Sequence, residues 1–179
     1  MTMPKTRKRK LTKTKRFALG IDVGGVLTKK GGKADTFLFG PNYLNAPAVE
    51  GAIEALTTLL VNAPFKGNTF IISKCGHKVE CRTRDWLKAK NVDLYIPEND
   101  WYFCKKRHEK APIAEDLGLT HFVDDRLEVL SYMTSVKKRY LFQPEADEIE
   151  PRKCVLPQVQ IVENWRELLK NLEQEASRV

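Results

Sequence analysis

Long hydrophobic runs are missing from this sequence. No window approaches 18 consecutive apolar residues, the length a helix needs to cross a bilayer, so no transmembrane helix and no membrane partner is expected. Cysteine is sparse: Cys75, Cys81, Cys104 and Cys154 are the four, and no Cys-x-x-Cys pair occurs. Cys75, His77 and Cys81, then Cys104 and His108, carry ligating side chains, but at spacings that match no common zinc pattern. Buried or strand-end thiols are the simpler reading. No apolar stretch follows the basic start, so a secretory signal is not expected. That points to an intracellular, reducing compartment, cytoplasmic or nuclear, without disulfides. No internal repeat is present, and 179 residues leave room for one ordinary domain, not two.

Acidic residues are absent from positions 1–16. That stretch holds eight basic side chains (Lys5, Arg7, Lys8, Arg9, Lys10, Lys13, Lys15 and Arg16) and so contains the whole formal charge of +8. Residues 17–179 are left with 23 basic and 23 acidic side chains, a balanced domain behind a basic arm. Apart from its methionines the arm has one large apolar residue, Leu11, and cannot join a core. It reads as a localisation patch, a nucleic-acid tether or a plain solvated tail. The rest of the chain can bury a normal core, since the whole is 42% hydrophobic and 9% aromatic.

What is there, past the arm, is an alternation of apolar runs and amphipathic stretches. Phe17–Asp22, Asn68–Ser73, Val92–Ile96, Thr120–Asp124, Arg139–Phe142 and Val159–Val162 read as strands. Residues 47–62 place Val49, Ile53, Leu56 and Leu60 on one helical face, behind Pro47. Residues 78–90, 110–117 (closed by Gly118) and 126–135 suit further helices. The last helix follows Asn164, with Glu167 three residues on, as in a capping box. Trp86 and Trp165 read as core anchors and His121 as structural. Stretches 29–46 and 143–157 look least structured. Buried strands joined by helices predict an α/β fold, a Rossmann-like three-layer parallel sheet.

In such a sheet ligands bind beyond the carboxyl ends of the strands. Those ends carry Asp22, Ser73, and Asp124 with Asp125, while Lys105, Lys106 and Lys110 open the segment feeding the strand that ends in Asp124. Carboxylates suit Mg²⁺, and a hydroxyl with an ammonium suits phosphate oxygens. The bland alternatives are aspartates that begin turns or cap the next helix, and a plain strand-end serine.

The ordered set Asp22-Val-Gly-Gly-Val-Leu-Thr28, Ser73 in FIISKCG, Lys110 in RHEKAPIAEDLGL and Asp124-Asp125 in HFVDDR resembles the four motifs of the haloacid-dehalogenase-like (HAD) superfamily. The resemblance covers about residues 17–135. It implies a HAD-like domain over 17–179 with a minimal cap or none, 29–46 being a flap, and phosphatase or phosphoryl-transfer activity on a phosphorylated substrate. It further implies Asp22 as nucleophile, and Mg²⁺ on Asp22, the Gly24 carbonyl and Asp124 or Asp125. Gly25, Ser73 and Lys110 would hold the phosphate, with Lys105 and Lys106 as reserves for the lysine.

One departure is plain. The family's second aspartate, its acid–base, is Gly24 here, and losing such a group typically costs ~10²–10⁴-fold in rate. Lys30, Asp35 or His77 are candidates to replace it. The same departure leaves open a catalytically impaired module that binds a phosphorylated ligand, nucleic acid or a partner. Leu19–Thr28 is also similar to the first phosphate loop of the sugar kinase, chaperone ATPase and actin superfamily. That fold needs two lobes, and no second glycine-rich loop follows.

Overall fold

Five of the six runs expected as strands become rungs of one sheet. The computed structural model describes residues 17–31, 37–61 and 65–177, so the basic arm and Asp35 lie outside the described residues. The strands are β1 (Leu19–Ile21), β2 (Thr69–Lys74), β3 (Trp101–Cys104), β4 (His121–Asp124), β5 (Lys138–Phe142) and β6 (Gln160–Val162). All pair in parallel, in the order β3-β2-β1-β4-β5-β6.

Strand alternation sorts the core into two layers. Leu19, Ile21, Ile71 and Val123 pack on one face with α1 (Ala52–Val61), α2 (His77–Ala89) and α6 (Trp165–Ser177). Ala18, Phe70, Ile72 and Phe122 pack on the other with α3 (Lys110–Asp116) and α4 (Leu127–Tyr132). Both faces are covered, which is why the central strands are apolar throughout rather than alternating with polar residues. Gly20 sits where a Cβ would lie 2.5 Å from the Phe122 ring, so the β1–β4 pairing requires a residue without a side chain there.

Two tryptophans do more than fill space. Buried Trp86 donates its indole N–H to the Ala46 carbonyl at 2.8 Å, and buried Trp165 donates to the Val26 carbonyl at 2.7 Å. Each ties a helix to a loop near the carboxyl end of β1. The start of α6 follows the expected cap: the Asn164 side chain accepts the Glu167 N–H at 2.9 Å. The Glu167 carboxylate, however, accepts from Glu163 rather than from Asn164.

Two expectations are corrected and a third is refined. Val92–Ile96 is not a strand but a 3₁₀ turn over Val92–Leu94. Asn91 adopts a left-handed backbone (φ 58°) that starts the turn, and Pro97 ends the segment. Val92 and Ile96 still reach the core while Leu94 is exposed, so the apolar alternation was real but served a turn. The strand is Trp101–Cys104 instead. The helix expected from residue 47 begins only at Ala52: Val49 donates to Leu27 at 2.8 Å and Lys29 donates to Pro47 at 2.9 Å, binding 47–49 to the loop after β1. Gly51, at φ 73°, then makes the turn into the helix. Finally, 143–157, expected to be among the least structured stretches, holds the short α5 (Ala146–Ile149) and 3₁₀ turns over Glu150–Gln158 that break at Arg152.

Candidate active site

The sheet order reverses between β1 and β4, since the chain builds outward from β1 to β3 and then returns to the other side of β1. Loops leaving two such strands diverge and open a crevice at their carboxyl ends. Register fills that crevice with acid. Ile21 pairs with Val123, so Asp22 and Asp124 follow side by side, and Asp22 donates its N–H to the Val123 carbonyl at 3.1 Å.

Lys110, at the first turn of α3, reaches between them. Its Nζ donates to Asp124 Oδ2 at 2.7 Å and lies 3.0 Å from Asp22 Oδ1, with the lysine side chain 1% exposed. The contact with Asp22 is an ion pair without hydrogen-bond geometry, so Asp22 Oδ1 is a buried oxygen with no hydrogen-bond partner. Ligand oxygens of Asp22, Asp124 and Asp125 all lie within 4.8 Å of one another. Asp125 pairs with Lys30 at 3.2 Å and with Arg126 at 3.6 Å. Asp124 Oδ1 accepts the Arg126 N–H at 2.9 Å, which fixes the turn into α4.

Such crowding shifts the titration of Asp124, Asp125 and Lys110. Burial pushes the Asp124 carboxyl up to about 8; Lys110 pulls against this, and Asp22 and Asp125 reinforce it. Burial, and then Asp22, raises Asp125 in spite of Lys30 and Arg126. Burial alone would discharge Lys110, but Asp124 and Asp22 together hold its ammonium above the ordinary lysine range. The three carboxylates are thus buried and close together, with Lys110 between two of them and Lys30 and Arg126 against the third.

A cleft of about 620 Å³ opens over this floor. Ser73, at the end of β2, faces it, as do Gly24, Gly25, Lys30 and Lys110. Gly25 has φ 77°, and a Cβ there would lie 2.6 Å from Asp125 Oδ2, so glycine is needed both for the turn and for the carboxylate. Its N–H donates to the Thr28 carbonyl at 2.9 Å; it is engaged inside the loop and is not a donor open to the cleft.

No protein-family model and no curated protein matches this chain. The site is therefore read from its own geometry.

Among the residues singled out from sequence, Asp22, Ser73, Lys110, Asp124 and Asp125 meet in the one cleft, and Gly24 and Gly25 line it. Of the three lysines, Lys105 and Lys106 are exposed and Lys110 is the buried one. Lys30 is at the cleft, in contact with Asp125 and with Glu145 at 3.3 Å, whereas exposed His77 is not among the lining residues. Cysteine and histidine form no metal-sized cluster among the described residues. Cys75 and Cys104 are buried, Cys81 and Cys154 exposed. Burial pushes the Cys75 thiol up to about 12 and the Cys104 thiol to about 11, so neither is a ready nucleophile. His121 is buried at the far, amino end of the sheet, held by Thr120 at 2.7 Å and Glu175 at 3.2 Å.

Sequence reasoning missed Phe39, Arg107, Arg126 and Glu145, all of which line the cleft. Phe39 and Glu145 belong to the two stretches that carry no periodicity. Arg126 had a signal, since it immediately follows the strand-end aspartates.

Proposed function

We propose that this chain is a Mg²⁺-dependent phosphohydrolase or phosphoryl-transfer protein of the HAD-like kind, acting through Asp22. The observation that carries the reading is the meeting of Asp22, Lys110, Asp124 and Asp125 at the topological switch point, with distances of 2.7–3.0 Å from Lys110 to two of the carboxylates.

The donor set fits a hard divalent cation. Its atoms are carboxylate oxygens, close together and buried, and Asp22 Oδ1 has no hydrogen-bond partner. The set does not by itself select Mg²⁺ from other such ions; the choice of Mg²⁺ comes from the resemblance. Asp22, Asp124 or Asp125, and the Gly24 carbonyl would hold it. Bound there, it would offset the repulsion between the carboxylates and an incoming phosphate.

The chain's own residues then divide the work. The Asp22 carboxylate attacks phosphorus, forming an aspartyl-phosphate as the P–O bond to the leaving group breaks. Lys110 and the Ser73 hydroxyl hold phosphoryl oxygens and offset charge that grows on them. Water then hydrolyses the acyl phosphate and regenerates Asp22. Gly24 provides no proton for the leaving oxygen, so good leaving groups, such as aryl oxides, turn over faster than alkoxides.

Gly24 is also the observation favouring a second reading, a module that binds a phosphorylated ligand and turns it over poorly. An aryl phosphate assay with Mg²⁺ separates the two. Wild-type turnover that disappears in Asp22→Asn supports the enzyme; equal background rates in both overturn it. Gly24 is not among the glycines with a left-handed backbone, so Gly24→Asp is sterically compatible with the local φ. A gain of rate in that variant marks a site that lacks only its proton donor.

A further inference from the structure

Only part of the cleft is accounted for by a phosphate. A volume of about 620 Å³ is in the range of sites for whole organic ligands, and a phosphate needs only a few times the ~30 Å³ of a water molecule. Beside the charged groups, the lining includes Leu38, Phe39 and Val79, together with Lys74 and Thr83. Leu38 is buried, but Phe39 is 54% exposed.

Phe39 is held there by the fold. Arg82 of α2 donates to the Phe39 carbonyl, and to the Leu38 carbonyl at 3.4 Å. The same guanidinium lies 5.3 Å over the Tyr43 ring, and the Tyr43 hydroxyl donates to Asp85 at 3.0 Å. One helix therefore pins both the turn that carries Phe39, through Arg82, and the turn after it, through Asp85. Lys74, the residue after Ser73, is exposed and forms no ion pair with another described residue. An apolar face with a polar and cationic border, continuous with the phosphate end, is a mould for a flat ring that carries polar edges.

Resting on the phosphoryl-transfer reading, we propose that the outer half of the cleft is a ring subsite. Phe39, which shares the lining with Leu38 and Val79, stacks with the aromatic ring of a phosphomonoester whose phosphate lies at Ser73 and Lys110. The substrate class is thus an aromatic phosphomonoester rather than a small aliphatic one, and Phe39 is its specificity-determining residue.

The test is binding, because binding is readable without turnover. Calorimetry on the full chain with Mg²⁺ compares phenylphosphonate with methylphosphonate, neither of which is hydrolysed. The phenyl compound is expected to bind about tenfold more tightly, the scale of one aromatic pair plus buried area. Phe39→Ala reduces that ratio to near unity, Phe39→Trp preserves it, and Leu94→Ala, exposed and outside the cleft, leaves it as in wild type. Equal affinities in the wild type, or a ratio that survives Phe39→Ala, overturn the ring subsite. Asp22-dependent turnover together with equal affinities overturns the subsite alone. If neither phosphonate binds, the phosphoryl-transfer reading falls with it.

Discussion

Replacing Lys110 by methionine tests the electrostatics of the site directly. Methionine keeps most of the length and apolar volume of lysine and removes the charge. The lysine side chain is 1% exposed and touches Asp124 at 2.7 Å and Asp22 at 3.0 Å, so water cannot replace it. Removing one partner of a buried pair costs about 3–5 kcal/mol, because the other charge is left unpaired. The cost should fall near the lower figure, because Asp124, already raised by burial, takes a proton instead of staying ionised once Lys110 no longer opposes that rise. For a domain of this size roughly 2–4 °C of melting temperature goes with each kcal/mol, so Lys110→Met should melt about 6–12 °C lower. Circular dichroism melts of wild type, Lys110→Met, Asp124→Asn and the double variant, without metal, form a closed cycle. The double variant should recover part of the loss, since contacting charges couple by about 0.5–3 kcal/mol. A melting temperature for Lys110→Met within about 2 °C of wild type, or strictly additive effects, would refute the account, since neither is compatible with a buried cation between two carboxylates.

Three further outcomes follow from the same features. Asp124 is raised in the fold, so between about pH 4 and 8 the metal-free folded state binds more protons than the unfolded chain, and stability falls as pH rises through that window. Mg²⁺ should therefore raise the melting temperature more at pH 8 than at pH 6, and equal shifts at both would contradict the burial of Asp124. Gly25→Ala puts a Cβ 2.6 Å from Asp125 Oδ2 on a backbone at φ 77°, a strain of about 1–2 kcal/mol. It should weaken Mg²⁺ binding, read by titration, more than it lowers the melting temperature. Deletion of residues 1–16 should abolish binding to single- or double-stranded nucleic acid if the arm is a tether, and the lost binding should be steeply salt-dependent; binding that survives the deletion rules the tether out.

How much of this was legible in the sequence depends on which force wrote each part. Strands β1, β2 and β4 are covered on both faces, and their apolar runs with polar last residues mark both the strand and the site. Asp22, Ser73 and Asp124 are thus found by one rule, that a polar residue at the end of a buried strand faces the crevice. The third strand was misread because Val92, Leu94 and Ile96 alternate just as a strand would. The decision lay in Asn91, whose left-handed backbone is a property of one turn and leaves no periodic trace. Trp101–Cys104, an edge strand with a half-buried middle, has a weaker pattern than the turn before it. Lys110 was found only through its resemblance to a motif lysine, because one lysine among three gives no sign of which will be buried. Phe39 and Glu145 were not legible, since their positions depend on Arg82 holding a carbonyl and on Lys30 meeting a carboxylate across the chain.

Charge is layered within the cleft in a way that neither the +8 of the whole chain nor the neutrality of residues 17–179 would suggest. The floor has three buried carboxylates and one buried ammonium, so it repels a phosphate dianion at short range. The rim has Lys30, Lys74, Arg107 and Arg126, with Glu145 and Asp147 as its acids, and so attracts the same dianion at longer range. Register puts the acids on the floor, because the ends of adjacent buried strands have no choice about where their side chains go. The cations stand on loops, helix starts and, for Lys74, the last position of β2, where long side chains can remain partly in water. Arg107 and Arg126 are 42% and 43% exposed, though paired with Glu128 and Glu148. On the phosphoryl-transfer reading, such a cleft would draw an anion in but not seat it until the floor gained positive charge, and a divalent cation on the three aspartates would be the simplest way to supply it. Cation and phosphate should then bind with positive coupling, each tightening the other by the same factor. Independent binding would mean that the phosphate stops at the rim and never reaches Asp22.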